Sequence, residues 1–70
     1  MLDEVFKVID KQWFINRMTG AGFKRDTILK AIQKGYLSAR LAPMAEEITS
    51  VPAIFWIHPS IYNIKGKRRK

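Results

Sequence analysis

The sequence predicts a small α+β domain with two to three short helices, a two-stranded antiparallel hairpin and a short C-terminal helix. The chain has only 70 residues, of which 47% are apolar and 27% charged, a composition that suits a single folded domain. Apolar residues recur at helical spacing before residue 35. Residues 36–41 and 53–58 instead show the alternation, or the β-branched and aromatic content, that is typical of strands.

The N-terminal part is predicted to be helical. Apolar residues at helical spacing favour one short helix over residues 2–9, with a strand as the weaker alternative. Asp10 is a good N-cap for a second helix that runs from Lys11 to about Thr19. A glycine-containing turn over residues 20–23 should then end this helix.

The clearest helix in the sequence follows that turn. Asp26 or Thr27 is expected to cap its N-terminus, and Gly35 is expected to end it. The apolar residues of this helix form a stripe that should be buried, made of Ile28, Leu29, Ala31 and Ile32. The side that faces away carries Thr27, Lys30, Gln33 and Lys34. The pattern predicts a helix that packs against the core and presents a basic, amide-bearing face to solvent.

The C-terminal part is predicted to contain the hairpin. Residues 36–41 alternate with period two and should pair with a second strand over residues 53–58. Residues 43–52, bounded by two prolines, are predicted to be a loop, and this loop carries Glu46 and Glu47. Because a two-stranded hairpin is only marginally stable alone, it must pack on the helices. A short helix that opens with Pro59 closes the domain.

The charge balance predicts a polyanionic partner. The chain has 13 Lys and Arg against 6 Asp and Glu, a net charge of +7. Nucleic acid is the commonest partner of so basic a domain, with an anionic membrane surface and an acidic protein as lesser alternatives. The longest apolar run, residues 53–57, is far short of the ~18 residues that a membrane span requires. The domain is expected to occupy residues 1–64, with residues 65–70 as a basic, flexible tail.

Catalysis is not expected from this sequence. The chain has no cysteine and a single histidine, His58, so it offers no obvious set of metal ligands, and its acids do not form a positioned acid–base pair. No cofactor and no small-molecule substrate are indicated. Trp13 and Trp56 are predicted to lie in the core. For Tyr36 two roles remain open: an ordinary surface residue, or a residue whose hydroxyl contacts a phosphate.

The predicted elements are those of a winged helix-turn-helix: two short helices joined by a glycine-containing turn, followed by a hairpin. Such a domain binds double-stranded DNA. An α-helix fits the major groove, where Thr, Gln and Lys side chains reach base edges. Cations on the flanks, such as Lys24, neutralise phosphates. The tail cations Lys67, Arg68 and Arg69 are either a solvated terminus or an arm that touches phosphates.

The sequence also resembles a family. The run TILKAIQKGYLSARLA, followed after a loop by IFWIHPSIYNI, is similar to the core of phage excisionases and related small winged-helix regulators, over roughly residues 12–64. The resemblance implies a recombination directionality factor that binds adjacent DNA sites, bends DNA and biases a phage integrase towards excision. It assigns the strand-to-wing role to Ser38 and Arg40. It assigns the recognition-helix role to Arg25, Thr27, Lys30, Gln33 and Lys34.

Alternatives to the excisionase hypothesis remain open. A small phage or prophage transcriptional regulator would have the same fold. The acidic loop departs from the Gly- and Arg-rich wing of the family, and it could serve contact with a neighbouring protein. A protein-interaction module that grips an acidic host protein is a further alternative, and RNA binding is a weaker one. Implied partners are DNA, a phage integrase and further copies of the chain along DNA, in the cytoplasm of a bacterial host at its nucleoid.

Overall fold

Five helices make up the regular structure of residues 2–69, the part of the chain that the computed structural model describes. They are α1 (Leu2–Phe6), α2 (Lys11–Gly20), α3 (Arg25–Lys34), α4 (Ala42–Thr49) and α5 (Ala53–Ile57). No sheet forms within this range, where an isolated antiparallel bridge joins Tyr62 and Arg68. The fold is therefore helical, and the prediction of an α+β winged domain is wrong.

The first two helices follow the sequence pattern. Leu2 and Val5 are the buried residues of α1, which ends earlier than the predicted residue 9. The Asp10 carboxylate accepts a hydrogen bond from the Trp13 backbone N–H at 3.0 Å, so Asp10 caps α2 as predicted. This cap satisfies one of the N–H groups that the start of a helix leaves unpaired.

The turn between α2 and α3 spans residues 21–24, and α3 begins at least two residues earlier than the predicted cap allows. The N-cap position is occupied by Lys24, which makes no side-chain capping bond, and Asp26 lies in the first turn of the helix. The prediction that Asp26 or Thr27 caps α3 is therefore wrong. Gly35 ends the helix in the left-handed conformation, with φ 92°, as the sequence predicts.

Residues 36–41 form a turn, and the predicted strand at this position is wrong. A period-two strand would turn Leu37, Ala39 and Leu41 to the same face, but Ala39 is exposed while the two leucines are buried. The backbone N–H of Leu41 donates to the Ser38 carbonyl at 3.0 Å, which begins the turn into α4. Leu37 and Leu41 are four residues apart, and a helical turn places such residues on one side.

The predicted loop over residues 43–52 is largely helix α4. Pro43 lies in its first turn, where the missing N–H of proline has no intrahelical partner to lose. Ala42 and Ala45 are buried, and Ile48 packs against the core, so the apolar residues follow helical spacing. Pro43 therefore lies in the first turn of α4 and Pro52 directly precedes α5, so the two prolines do not delimit a loop.

The predicted strand over residues 53–58 is helix α5. Its neighbouring residues Phe55 and Trp56 are both fully buried, whereas a strand would point them to opposite faces. The Glu46 carboxylate accepts a hydrogen bond from the Ala53 N–H at 2.6 Å and so satisfies the start of α5. The two segments meet at one point, where the Leu37 N–H donates to the Trp56 carbonyl at 2.7 Å, and the predicted strand pairing is wrong.

The helix predicted after Pro59 is also wrong. The chain makes one turn there, in which the Ile61 and Tyr62 N–H groups donate to the His58 carbonyl. It then doubles back, and the Asn63 N–H donates to the Lys67 carbonyl at 2.9 Å. Arg69 donates from Nε to the Pro59 carbonyl at 3.1 Å and forms an ion pair with Glu4.

The core is built around Trp56. Its indole ring stacks on Phe14 with centroids 4.9 Å apart, and its N–H donates to the Val51 carbonyl at 3.2 Å. The prediction that Trp56 lies in the core is confirmed. The same prediction for Trp13 is wrong, because Trp13 is 43% exposed on α2 with the Arg17 guanidinium 5.9 Å from the ring centroid.

Candidate nucleic-acid interface

Helices α2 and α3 form a helix-turn-helix pair that leaves the polar side of α3 free. The two helices pack against each other across the four-residue turn formed by residues 21–24. From α3, Ile28 and Ala31 are buried, and Ile32 packs against the core. Leu29, the fourth residue of the predicted stripe, is exposed, so its predicted burial is wrong. Because Ile28, Ala31 and Ile32 lie on one side of α3, the charged and amide side chains of the helix remain in solvent.

A first groove of about 250 Å³ runs between α3 and the turn that follows it. Buried Ala31 and Leu41 contribute to its lining. The remaining lining residues are polar and come from both sides of the groove: Thr27, Lys30, Lys34, Tyr36 and Ser38. The helix supplies the two cations, and the turn supplies hydroxyl groups.

A second groove of about 450 Å³ continues the first towards the turn between α2 and α3. Its lining includes the cations Lys24 and Arg40 together with Gly22 and Phe23. The two grooves share the lining residues Thr27, Ser38 and Leu41. We refer to their joint surface as the basic groove, with the polar lining residues Lys24, Thr27, Lys30, Lys34, Tyr36, Ser38 and Arg40.

The basic groove is positively charged along its length. No Asp or Glu of the described range lines it, although Asp26 lies nearby on α3. Across residues 2–69 the ion pair present is Glu4–Arg69, so the groove cations have no acidic partner within that range. Unpaired ammonium and guanidinium groups beside three hydroxyl-bearing side chains are suited to bind phosphodiester oxygens.

The structure brings six of the sequence-predicted residues together. These are Lys24, Thr27, Lys30, Lys34, Ser38 and Arg40, all of which line the basic groove. Ser38 and Arg40 reach it from a turn and not from a strand or wing. The sequence did not predict that this turn lies against α3, because the same residues were expected to form a strand of a hairpin.

The other predicted residues lie outside the groove. Arg25 and Gln33 are exposed on α3. Lys67, Arg68 and Arg69 belong to the doubled-back C-terminal segment, where the Arg69 guanidinium is engaged by Pro59 and Glu4. Lys67 and Arg68 are exposed there.

Tyr36 is a lining residue that sequence reasoning left open. Tyr36 is 48% exposed and directly follows Gly35, which ends α3. It lines the first groove together with Lys34. Its position directly after a helix-ending glycine was the available signal. A phenolic hydroxyl at this position adds a neutral hydrogen-bond donor to the cationic wall.

The acids expected in a wing lie elsewhere. Glu46 is on α4 and accepts the Ala53 N–H. Glu47 lines a separate groove between α2 and α4, which also contains Arg17 and Met44. These acids are therefore not part of the basic groove.

None of the five helices combines the length and the apolar character needed to cross a bilayer. Within residues 2–69, no cluster of three or more His, Asp or Glu side chains is placed to hold a metal ion. Comparison of the chain with protein-family models, with curated protein sequences and with solved structures finds no match.

Proposed function

We propose that this protein binds double-stranded DNA through its helix-turn-helix, with α3 in the major groove and the basic groove along one phosphate backbone. The observation that carries the proposal is the basic groove itself. It joins cations from α3 and from the turns on either side of α3 into one surface free of acids within the described range. A net charge of +7 adds long-range attraction for a polyanion.

The geometry of α3 supports the same proposal. An α-helix fits the width of the major groove, and its exposed Lys and Gln side chains are suited to base edges. The turn over residues 36–41 would then lie beside the sugar-phosphate backbone, where hydroxyl groups and cations position a protein without reading sequence. Affinity would come mainly from the release of counterions condensed on the duplex.

A salt titration tests this proposal. With five to eight phosphate contacts, the logarithm of the binding constant should fall with the logarithm of salt concentration with a slope of about −4 to −7. Arg40→Ala should reduce the magnitude of the slope by about 0.9, because it removes one phosphate contact. Fluorescence anisotropy with a labelled duplex measures both values.

Lys7→Ala is the matched control for this titration. It removes the same unit charge from an exposed lysine that does not line the basic groove. Its slope should equal that of the parent protein. A flat salt dependence of the parent protein would contradict duplex binding, and equal slopes for all three proteins would contradict the placement of the phosphate backbone in the basic groove.

The biological use of DNA binding stays a prediction. Bias of an integrase towards excision was implied by a resemblance to winged proteins, and the hairpin that this resemblance requires is absent from residues 2–69. The proposal is therefore confined to duplex binding by α3 and the basic groove. Footprinting on a phage attachment region and on phage promoters distinguishes a recombination factor from a transcriptional regulator.

A further inference from the structure

Leu29 is an exposed leucine on the polar side of α3. It is 41% exposed, and it belongs neither to the buried core nor to the partly buried apolar residues that pack against it. The buried residue Ala31 lies about 160° from Leu29 around the helix axis, and the buried residue Ile28 lies about 100° from it. The leucine side chain is therefore not part of the packed core of the domain.

The position of Leu29 on α3 sets it opposite the basic groove. With 100° of rotation per residue, Leu29 lies roughly 140–160° around the helix axis from Thr27 and Lys34. Around the helix axis, Lys30 lies between Leu29 on one side and Thr27 and Lys34 on the other. If a phosphate backbone occupies the basic groove, the outer face of α3 points towards the bases, and Leu29 lies at the far edge of that face.

Gln33 follows Leu29 on the same edge. The two side chains are four residues apart and thus about 6 Å along the helix axis, close to two base-pair steps of B-DNA. Both are exposed. A glutamine amide can pair with the N6 and N7 atoms of adenine, and the apolar group that the major groove presents is the 5-methyl of thymine.

We propose that Leu29 reads a thymine by contact with its 5-methyl group, next to an adenine read by Gln33. The target would then be an A·T-containing site in which these two bases lie within about two base pairs of each other. This inference rests on the proposed function, since it requires α3 in the major groove. Leu29 would then determine specificity, and thymine would be the base that it recognises.

Replacement of thymine by uracil tests the inference, because uracil lacks only the 5-methyl group. A preferred site is first selected with the full chain from a pool of random-sequence duplexes. Each thymine of the selected duplex is then changed to uracil in turn, and binding is measured for the parent protein and for Leu29→Ala. One uracil substitution should weaken binding of the parent protein about three- to fivefold, as expected for one buried methyl group.

The decisive comparison is between protein variants on that one duplex. Leu29→Ala should bind the thymine and uracil forms equally, since the single methyl group of alanine is too short to reach the 5-methyl group from the same helix position. Val8→Ala is the control, because Val8 is a 70% exposed apolar residue outside α3, and it should keep the full difference. Both substituted positions are exposed, and circular dichroism verifies that each variant folds.

The outcomes separate this inference from the proposed function. Selective duplex binding without any uracil-sensitive position, or with a sensitive position that Leu29→Ala retains, overturns the role of Leu29 and leaves DNA binding intact. A change in oligomeric state of Leu29→Ala with unchanged base preference also overturns it, since Leu29 would then serve a protein interface. Absence of any duplex binding overturns both proposals.

Discussion

Single residues divide between the core and the exposed surface according to the side of the helix on which they fall. The two tryptophans illustrate this division. Trp56 lies on the inner side of α5 and stacks on Phe14, whereas Trp13 lies on the outer side of α2. The residue type was the same at both positions, and only the direction of the side chain decides its role.

The two tryptophans should therefore differ in their contribution to stability. Trp56→Phe should lower the free energy of unfolding by about 2 kcal/mol, because it leaves a cavity and removes the hydrogen bond to the Val51 carbonyl. Trp13→Phe should change it by less than about 0.5 kcal/mol, as is usual for a surface site. Urea denaturation followed by far-ultraviolet circular dichroism measures both values, and equal losses would contradict the burial of Trp56.

At the scale of elements, helix ends followed the sequence where a special residue enforces them. Asp10 starts α2 through a side-chain hydrogen bond, and Gly35 ends α3 because its backbone takes a conformation that other residues rarely adopt. The two segments that were predicted to be strands from their apolar pattern alone were predicted wrongly. The segments 36–41 and 53–58 are too short for their spacing of apolar residues to separate a strand from a helical turn.

Gly35 gives a test of the helix end that is independent of packing. A Cβ atom added at Gly35 meets no other atom within 4 Å, so the cost of Gly35→Ala comes from the positive φ alone. We expect a loss of about 1 kcal/mol in the free energy of unfolding. Chemical denaturation of the variant and the parent protein measures it.

Gly20→Ala is the matched control for Gly35→Ala. Gly20 lies within α2 and also has open space around the added Cβ atom, but without a positive φ. The alanine should stabilise the protein by about 0.5 kcal/mol, since it restricts the unfolded chain. If both alanine variants shifted stability in the same direction, the left-handed conformation of Gly35 would not be the cause.

At the scale of the whole molecule, side-chain contacts of Arg69 hold α1 and the C-terminal segment together. Arg69 forms an ion pair with Glu4 of α1 and also donates to the Pro59 carbonyl. These contacts hold the end of the described chain against its beginning. They also engage one of the tail cations that the sequence assigned to DNA.

Arg69 and its neighbour Arg68 allow the contribution of these contacts to the free energy of unfolding to be measured. Arg69→Ala should lower the free energy of unfolding by about 1 kcal/mol, a modest value because solvent screens a pair that is about one-third exposed. Arg68→Ala should stay within about 0.5 kcal/mol, since no side-chain hydrogen bond to Arg68 is found among residues 2–69. Equal losses in urea denaturation would contradict a stabilising role for the Arg69 contacts.

The amino-acid sequence by itself determined the charge, the α2–turn–α3 unit and most of the residues of the basic groove. These features depend on local chemistry, namely a capping carboxylate, a left-handed glycine and the segregation of polar from apolar residues on one helix. Only the tertiary structure decided that the following segments are α4 and α5, and that Ser38 and Arg40 lie beside α3. The reason is physical: a short apolar segment adopts the backbone that buries its side chains best against the rest of the molecule, and in this protein helix α5 buries the neighbouring residues Phe55 and Trp56 together.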